Sequence, residues 1–254
     1  MASEKSEPDG QPVSDFALSV PIPDPGLRQA PFGPSDILAG RFQIIRFIAR
    51  GGMGFVYEAE DLQLGGRLAL KVIRSEIAGN EQIVARFKRE VQLAMKVTHP
   101  NVCRVHDLCT HGAGTLFLSM ELLDGETLAE RLRRGRMATL EALPIVTQMA
   151  AALDAAHQAG VVHRDFKTSN VMLASGGRRA VVTDFGIAHQ FAYASAAGDV
   201  HDLTPAGLFV GTPAYLAPEQ VEAGPITPAV DIYALGVVMY EMVTGELPFA
   251  GEKA

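Results

Sequence analysis

The feature that most constrains this chain is the order of three motifs. His163-Arg164-Asp165-Phe166-Lys167-Thr168-Ser169-Asn170 comes first, Asp184-Phe185-Gly186 follows at short range, and Ala217-Pro218-Glu219 comes last. Along one stretch they set an acid (Asp165), a cation (Lys167) and two groups able to ligate a metal (Asn170 and Asp184). Each residue alone has an ordinary explanation; Asp184, for instance, could simply end the strand Ala180-Val181-Val182-Thr183. Their joint occurrence in this order points instead to one reacting site.

Composition frames that site without naming it. With 254 residues, 48% hydrophobic and 20% charged, the chain can bury one or two substantial cores. A formal net charge of -7 and no basic patch argue against nucleic acid as a partner. Cys103 and Cys109 have the spacing of neither a zinc pair nor a redox pair and read as half-buried residues of a strand. Met1 to Gly10 is acidic and polar where a signal peptide has a basic and then an apolar run, so a cytoplasmic protein is expected. The apolar stretch Ile232 to Tyr240 is far shorter than the roughly 20 residues that span a bilayer. It reads as a buried helix, and no membrane segment is expected.

The chain changes character twice. Residues 1–38 are proline-rich with scattered acids and no regular apolar period, which predicts a disordered leader. From residue 39 to 123 strands dominate: Phe42 to Ile48, a turn at Gly51-Gly52-Met53-Gly54, a strand from Phe55, and then Leu68 to Ile73. The last puts Leu68, Leu70 and Val72 on one face and Ala69, Lys71 and Ile73 on the other. After Asn80, a plausible N-cap, a helix carries Ile83, Phe87, Val91 and Ala94 as one stripe with Glu90 at its edge. Strands around 102–108 and 115–121 complete the sheet. From 124 to 254 helices dominate, above all a helix from about Leu140 to Gln158 closed by Gly160.

The chemistry follows from residue types. Gly51, Gly52 and Gly54 would let a backbone loop lie close over phosphates, although a glycine-rich turn between strands can be a plain hairpin. Lys71 could be an ordinary strand lysine and Glu90 a solvated helix residue; paired, they would hold an ammonium against phosphate oxygens. Asp165 would accept or orient the proton of an attacking hydroxyl, and Lys167 would neutralise charge on a transferring phosphoryl group. Asn170 and Asp184 would hold Mg²⁺ on the phosphates of ATP.

On these motifs, with Gly211-Thr212-Pro213-Ala214-Tyr215-Leu216 ahead of Ala217-Pro218-Glu219, the chain resembles the protein kinase family, most of all the bacterial eukaryotic-type serine/threonine kinases. The resemblance runs from about residue 41 to the end. It implies an α+β, two-lobed fold: an upper lobe of a five-stranded antiparallel sheet plus one helix, and a mainly helical lower lobe. It implies ATP at the hinge, with the backbone of Glu121 and Leu123 holding adenine beyond Met120, and Val56, Ala69 and Met172 sandwiching the base. It implies protein substrates with serine or threonine acceptors, through Lys167 and Thr212. Arg164 beside Asp165 implies regulation by phosphate on the segment that includes Ser195 and Thr204, with Thr204 the favoured site and Thr212 bonding Asp165. Asp231, otherwise a plain helix N-terminal acid, would accept backbone hydrogen bonds from the catalytic loop.

Several positions depart from the family pattern. Ala49 stands where the first glycine is usual, Phe166 and Thr168 replace a common Leu and Pro, and Ala94 is small where a larger residue usually stacks. The family continues through further helices beyond Pro248-Phe249, one with an arginine that pairs with the glutamate here at 219, so the lower lobe is expected to lack its last helices. The leading reading is a protein serine/threonine kinase. A nucleotide-binding or scaffolding pseudokinase and a small-molecule phosphotransferase are the alternatives; the Ala-Pro-Glu segment speaks against the latter.

Overall fold

The computed structural model describes residues 30–51, 54–74, 81–185 and 213–249. Six strands, β1 (Ile37–Leu38), β2 (Phe42–Gly51), β3 (Gly54–Asp61), β4 (Arg67–Ile73), β5 (Val105–His111) and β6 (Thr115–Met120), form an antiparallel sheet in the order β1-β2-β3-β4-β6-β5. Period-two alternation decides the faces. Phe42, Ile44, Tyr57, Leu68, Leu70, Val72 and Phe117 make one core, and Ile73, Leu116 and Leu118 meet Phe87 and Val91 of α1 (Glu81–Ala94) on the other side. Asn80, the expected cap of α1, lies outside the described residues.

Two boundaries differ from expectation. The packed chain begins before residue 39: the ring of Phe32 stands edge-on to Tyr57 and His111, with centroids 6.3 and 5.7 Å away, and Ser35 N–H donates to Ile44 O at 2.9 Å. Phe32 is an apolar anchor among the prolines. The strand expected from residue 102 starts at Val105, because the residues before it turn to the lower lobe. Val102 bridges Val182 in parallel, and Cys103 N–H donates to Val182 O at 2.8 Å. Cys103 is thus buried outside a strand, while Cys109 lies half-buried in β5; both are free thiols.

Gly54 shows why the β2–β3 turn is glycine-rich. A Cβ there would lie 1.8 Å from the Val72 carbonyl oxygen of β4, whereas one at Gly51 would meet nothing within 4 Å. Gly54→Ala is therefore expected to cost about 1–3 kcal/mol through displaced backbone. Gly51→Ala should cost less, and urea midpoints of the two variants measure the difference.

The lower lobe opens with β7 (Gly125–Thr127) and α2 (Leu128–Leu132), where Thr127 and Glu130 form a reciprocal capping box. In α3 (Thr139–Gln158) the buried residues Ala142, Ile145, Met149, Ala152, Leu153 and Ala156 recur at helical spacing and face the core. Gly160, at φ +75°, ends it with the left-handed residue expected there. Strands β8 (Val171–Ala174) and β9 (Arg179–Val182) join β7 in a second sheet. After α4 (Pro218–Val221), α5 (Ala229–Thr244) packs on α3, burying Ala234, Val237, Val238 and Met242 while Ile232, Met239, Tyr240 and Val243 remain exposed. Among the described residues no helix is long and apolar enough to cross a membrane.

Candidate active site

Lys71 of β4 sits in mid-sheet, in register with Val56 of β3 and Leu118 of β6, and is 4% exposed. An ammonium buried so far needs a counter-charge. Its Nζ donates to Asp184 Oδ1 at 2.6 Å. Asp184 follows β9 in a left-handed conformation, φ +64°. Burial works against its charge, but the Lys71 ammonium, aided by Lys167, holds its carboxyl below the usual carboxylate range.

This corrects the expected Lys71–Glu90 pair. Glu90 Oε1 instead accepts from Arg164 Nη1 at 2.9 Å. Two cations and two acids meet here, and helix placement decides the partners: α1 carries Glu90 over the loop that bears Arg164, while the turn after β9 brings Asp184 directly under Lys71.

Asp165 lies between its expected neighbours. Lys167 Nζ donates to both of its carboxylate oxygens, at 2.9 and 2.8 Å, and Asn170 Nδ2 donates to its main-chain oxygen at 2.8 Å. His163 orients the loop from behind. Its Nε2 lies 2.9 Å from Thr183 O, and because a carbonyl only accepts, Nε2 carries the proton. Nδ1 then accepts from Asp165 N–H at 3.4 Å, a long bond. Phe185 packs on the imidazole, ring centroids 4.8 Å apart, and is buried as expected of an anchor.

The loop is fixed from below by Asp231, which is 1% exposed. Its Oδ2 accepts from His163 N–H at 2.7 Å and its Oδ1 from Arg164 N–H at 2.8 Å, the contacts expected of it. Arg164 has φ +66°, a strained backbone that these bonds hold in place. Two partners escaped the sequence reading. His157 Nε2 lies 2.7 Å from Asp231 Oδ2, and Gln220 Nε2 donates to Arg164 O at 2.9 Å. A histidine in the last turn of an apolar helix was the signal for the first; nothing local marked the second.

Of the residues expected around a base, Met120, Leu123 and Met172 share one cluster. Ala69 pairs with Met120 across the sheet, Ala49 pairs with Val56, and Met120, Leu123 and Met172 pack together against Cys103, Ala174 and Val181. Glu121 is held firmly: its N–H donates to Arg104 O at 2.9 Å and its carboxylate pairs with Arg179 at 2.6 Å. Its carbonyl takes a weak contact from the Cys103 thiol at 3.8 Å. Burial, with the charges of Glu121 and Asp184, pushes that thiol up to about 12, so it stays protonated. Behind Met120 a cavity of about 20 Å³ opens beside the small Ala94, walled by Val97, Val102, Leu118 and Phe185. Gly51 pairs with Gly54 at the turn; Gly52, Gly186, Ser195, Thr204 and Thr212 lie outside the described residues.

Chemically, the arrangement offers a carboxylate clamped by an ammonium, a second carboxylate and an amide close by, and a buried lysine on the roof. That set suits a transferring polyanion. The protein kinase domain model matches residues 42–254. Serine/threonine-protein kinase PknA of Mycobacterium tuberculosis is 42% identical over 222 residues, which cover 85% of this chain and 50% of that protein. PrkC of Bacillus subtilis is 38% identical over 218 residues, 85% of this chain and 32% of that protein. A crystal structure of the Mycobacterium tuberculosis PknI kinase domain matches with a TM-score of 0.70 at 29% identity, covering 88% of this chain and 82% of that one. The chain thus spans half or less of the length of these curated relatives, and in fold and sequence alike it belongs to the protein kinase family.

Proposed function

We propose that this chain transfers the γ-phosphoryl group of ATP to serine or threonine hydroxyls of proteins. The observation that carries this reading is the cluster Asp165, Lys167 and Asn170 lying under the Lys71–Asp184 pair, with no acid or cation of the set missing. The names of the relatives support the choice of acceptor.

In this reading Asp165 takes or orients the proton of the acceptor hydroxyl. Lys167, already bonded to Asp165, balances charge on the group in flight. Lys71 holds phosphate oxygens, with the turn at Gly51 to Gly54 above them and the wall of Val56, Ala69, Met120, Leu123 and Met172 around adenine. The residues also fit Mg²⁺. Asn170 turns its amide nitrogen to Asp165, which makes the amide oxygen the ligating atom, and Asp184 keeps a carboxylate that is 30% exposed. Two hard oxygen donors suit an ion that takes its other ligands from phosphate and water. Bound there, Mg²⁺ would neutralise phosphate charge. ATP as donor supports a cytoplasmic setting.

Regulation follows from the pairs as they stand. Phosphate on the segment after Gly186, with Thr204 the favoured site, would compete with Glu90 for Arg164 and return Glu90 to Lys71. Mass spectrometry of autophosphorylated enzyme with Thr204 unmodified would remove that assignment.

Titration with Mg²⁺-ATP is the direct test of the site. At 100 times the dissociation constant, bound nucleotide adds about 2.7 kcal/mol to folding stability and raises the melting temperature. Lys71→Met is expected to shrink that shift. Absence of any shift at millimolar nucleotide, or of label on serine and threonine of a protein acceptor, would reject the reading.

A further inference from the structure

The residues that carry the proposed chemistry occupy a short span, and the same downstream segment grips that span at both ends. On one side Gln220 Nε2 donates to the Arg164 carbonyl at 2.9 Å. On the other, Thr168 Oγ1 lies 3.0 Å from the phenol oxygen of Tyr215. Asp165 and Lys167 fall between these two ties.

The direction of the Thr168 bond can be worked out. Tyr215 has a single hydroxyl proton, and its oxygen lies 2.5 Å from Glu241 Oε2 of α5. An ionised carboxylate only accepts, so the phenol proton goes to Glu241 and the phenol oxygen accepts from Thr168. Thr168 and Tyr215 are 3% and 9% exposed, so water competes poorly for either group. Burial and the Glu241 carboxylate both raise the Tyr215 phenol above its ordinary range, which keeps that proton in place.

Resting on the kinase reading, we propose that Thr168 is a positioning residue for transfer to a polypeptide: the chain Thr168 to Tyr215 to Glu241 ties the loop bearing Asp165 and Lys167 to the 213–220 segment and so fixes how Asp165 meets an acceptor hydroxyl. Tyr215 closes a short 3-10 turn, Pro213–Tyr215, two residues before Ala217, the N-cap of α4. Ala217 N–H in turn donates to Gln220 Oε1 at 3.0 Å, which aims the Gln220 amide at Arg164. With both ties made, Asp165 keeps a fixed distance from the segment. With the Thr168 tie cut, the Lys167 side of the loop can drift from it, while nucleotide held by Lys71 and the hinge is unaffected.

The test compares Thr168→Val, Thr168→Ser and Tyr215→Phe in the full-length protein, measuring phosphorylation of myelin basic protein alongside ATP hydrolysis to water. Thr168→Val is expected to lower kcat/KM for the protein acceptor about 5- to 10-fold, the loss of about one hydrogen bond, and to lower the ratio of protein phosphorylation to hydrolysis. Serine should restore both. Valine added to Tyr215→Phe should cost little more than Tyr215→Phe alone, since the phenol oxygen that accepts the bond is already gone. Equal falls in transfer and hydrolysis, valine and serine behaving alike, or additive losses in the double variant would each overturn the proposal. A parent protein that labels no acceptor would instead reject the kinase reading on which it rests.

Discussion

Asp165→Asn is expected to lower protein phosphorylation by about 10²- to 10⁴-fold, the range removed with a general base, while nucleotide affinity changes little. The substitution keeps the shape of the side chain, so the loop should hold its place: Asn170 still bonds the main-chain oxygen at 165, and Asp231 still takes the two backbone N–H groups before it. What disappears is the negative charge that Lys167 clamps at 2.8 and 2.9 Å and, with it, the basicity that the proposed role of Asp165 requires. The nucleotide contacts proposed above lie elsewhere, on Lys71 and the wall around Met120. Calorimetry for binding and single-turnover labelling for chemistry separate the two effects. Unchanged turnover would take Asp165 out of this role, and a matching loss of nucleotide affinity would mean that the residue supports the site rather than reacting in it.

How far the sequence could be read depended on whether a feature was local. The alternation Leu68, Leu70, Val72 against Ala69, Lys71, Ile73 placed β4 correctly because a strand has two faces and only apolar residues suit the inner core. The helix ending at Gln158, and Gly160 beyond it, were legible for the same reason. Partner choice was not. Motif order identifies Lys71, Glu90, Arg164 and Asp184 as charges near one another, yet which cation meets which acid depends on how α1 sits over the loop, a tertiary property. Gln220 and His157 were missed because each acts across the fold on atoms far away in sequence; the position of His157 in the last turn of an apolar helix was a signal, whereas the backbone carbonyl that Gln220 meets leaves no local pattern. Phe32 was hidden among prolines, whose density reads as disorder even where one aromatic ring finds a hydrophobic seat.

Asp231→Ala should have the largest effect on the fold, about 3–5 kcal/mol, the range seen when one partner of a buried polar pairing is removed. The carboxylate is 1% exposed and accepts from His163 N–H, Arg164 N–H and His157 Nε2. Alanine would leave these groups buried with no acceptor, each at a cost of about 1–3 kcal/mol where water cannot enter. Some relief is available, since His157 is 13% exposed and can turn toward solvent, but the two backbone donors are fixed by the chain. Arg164 is held at φ +66° against its own preference, so releasing it also frees strain and lets the loop relax away from the catalytic geometry. Asp231→Asn keeps one acceptor oxygen and should fall between parent and alanine in urea unfolding. If the anchor acts as described, activity will drop in both variants even under conditions where they remain folded, because Asp165 sits next to the backbone that Asp231 holds. An alanine variant as stable and as active as the parent would mean that the loop keeps its shape through Gln220 and Tyr215 alone.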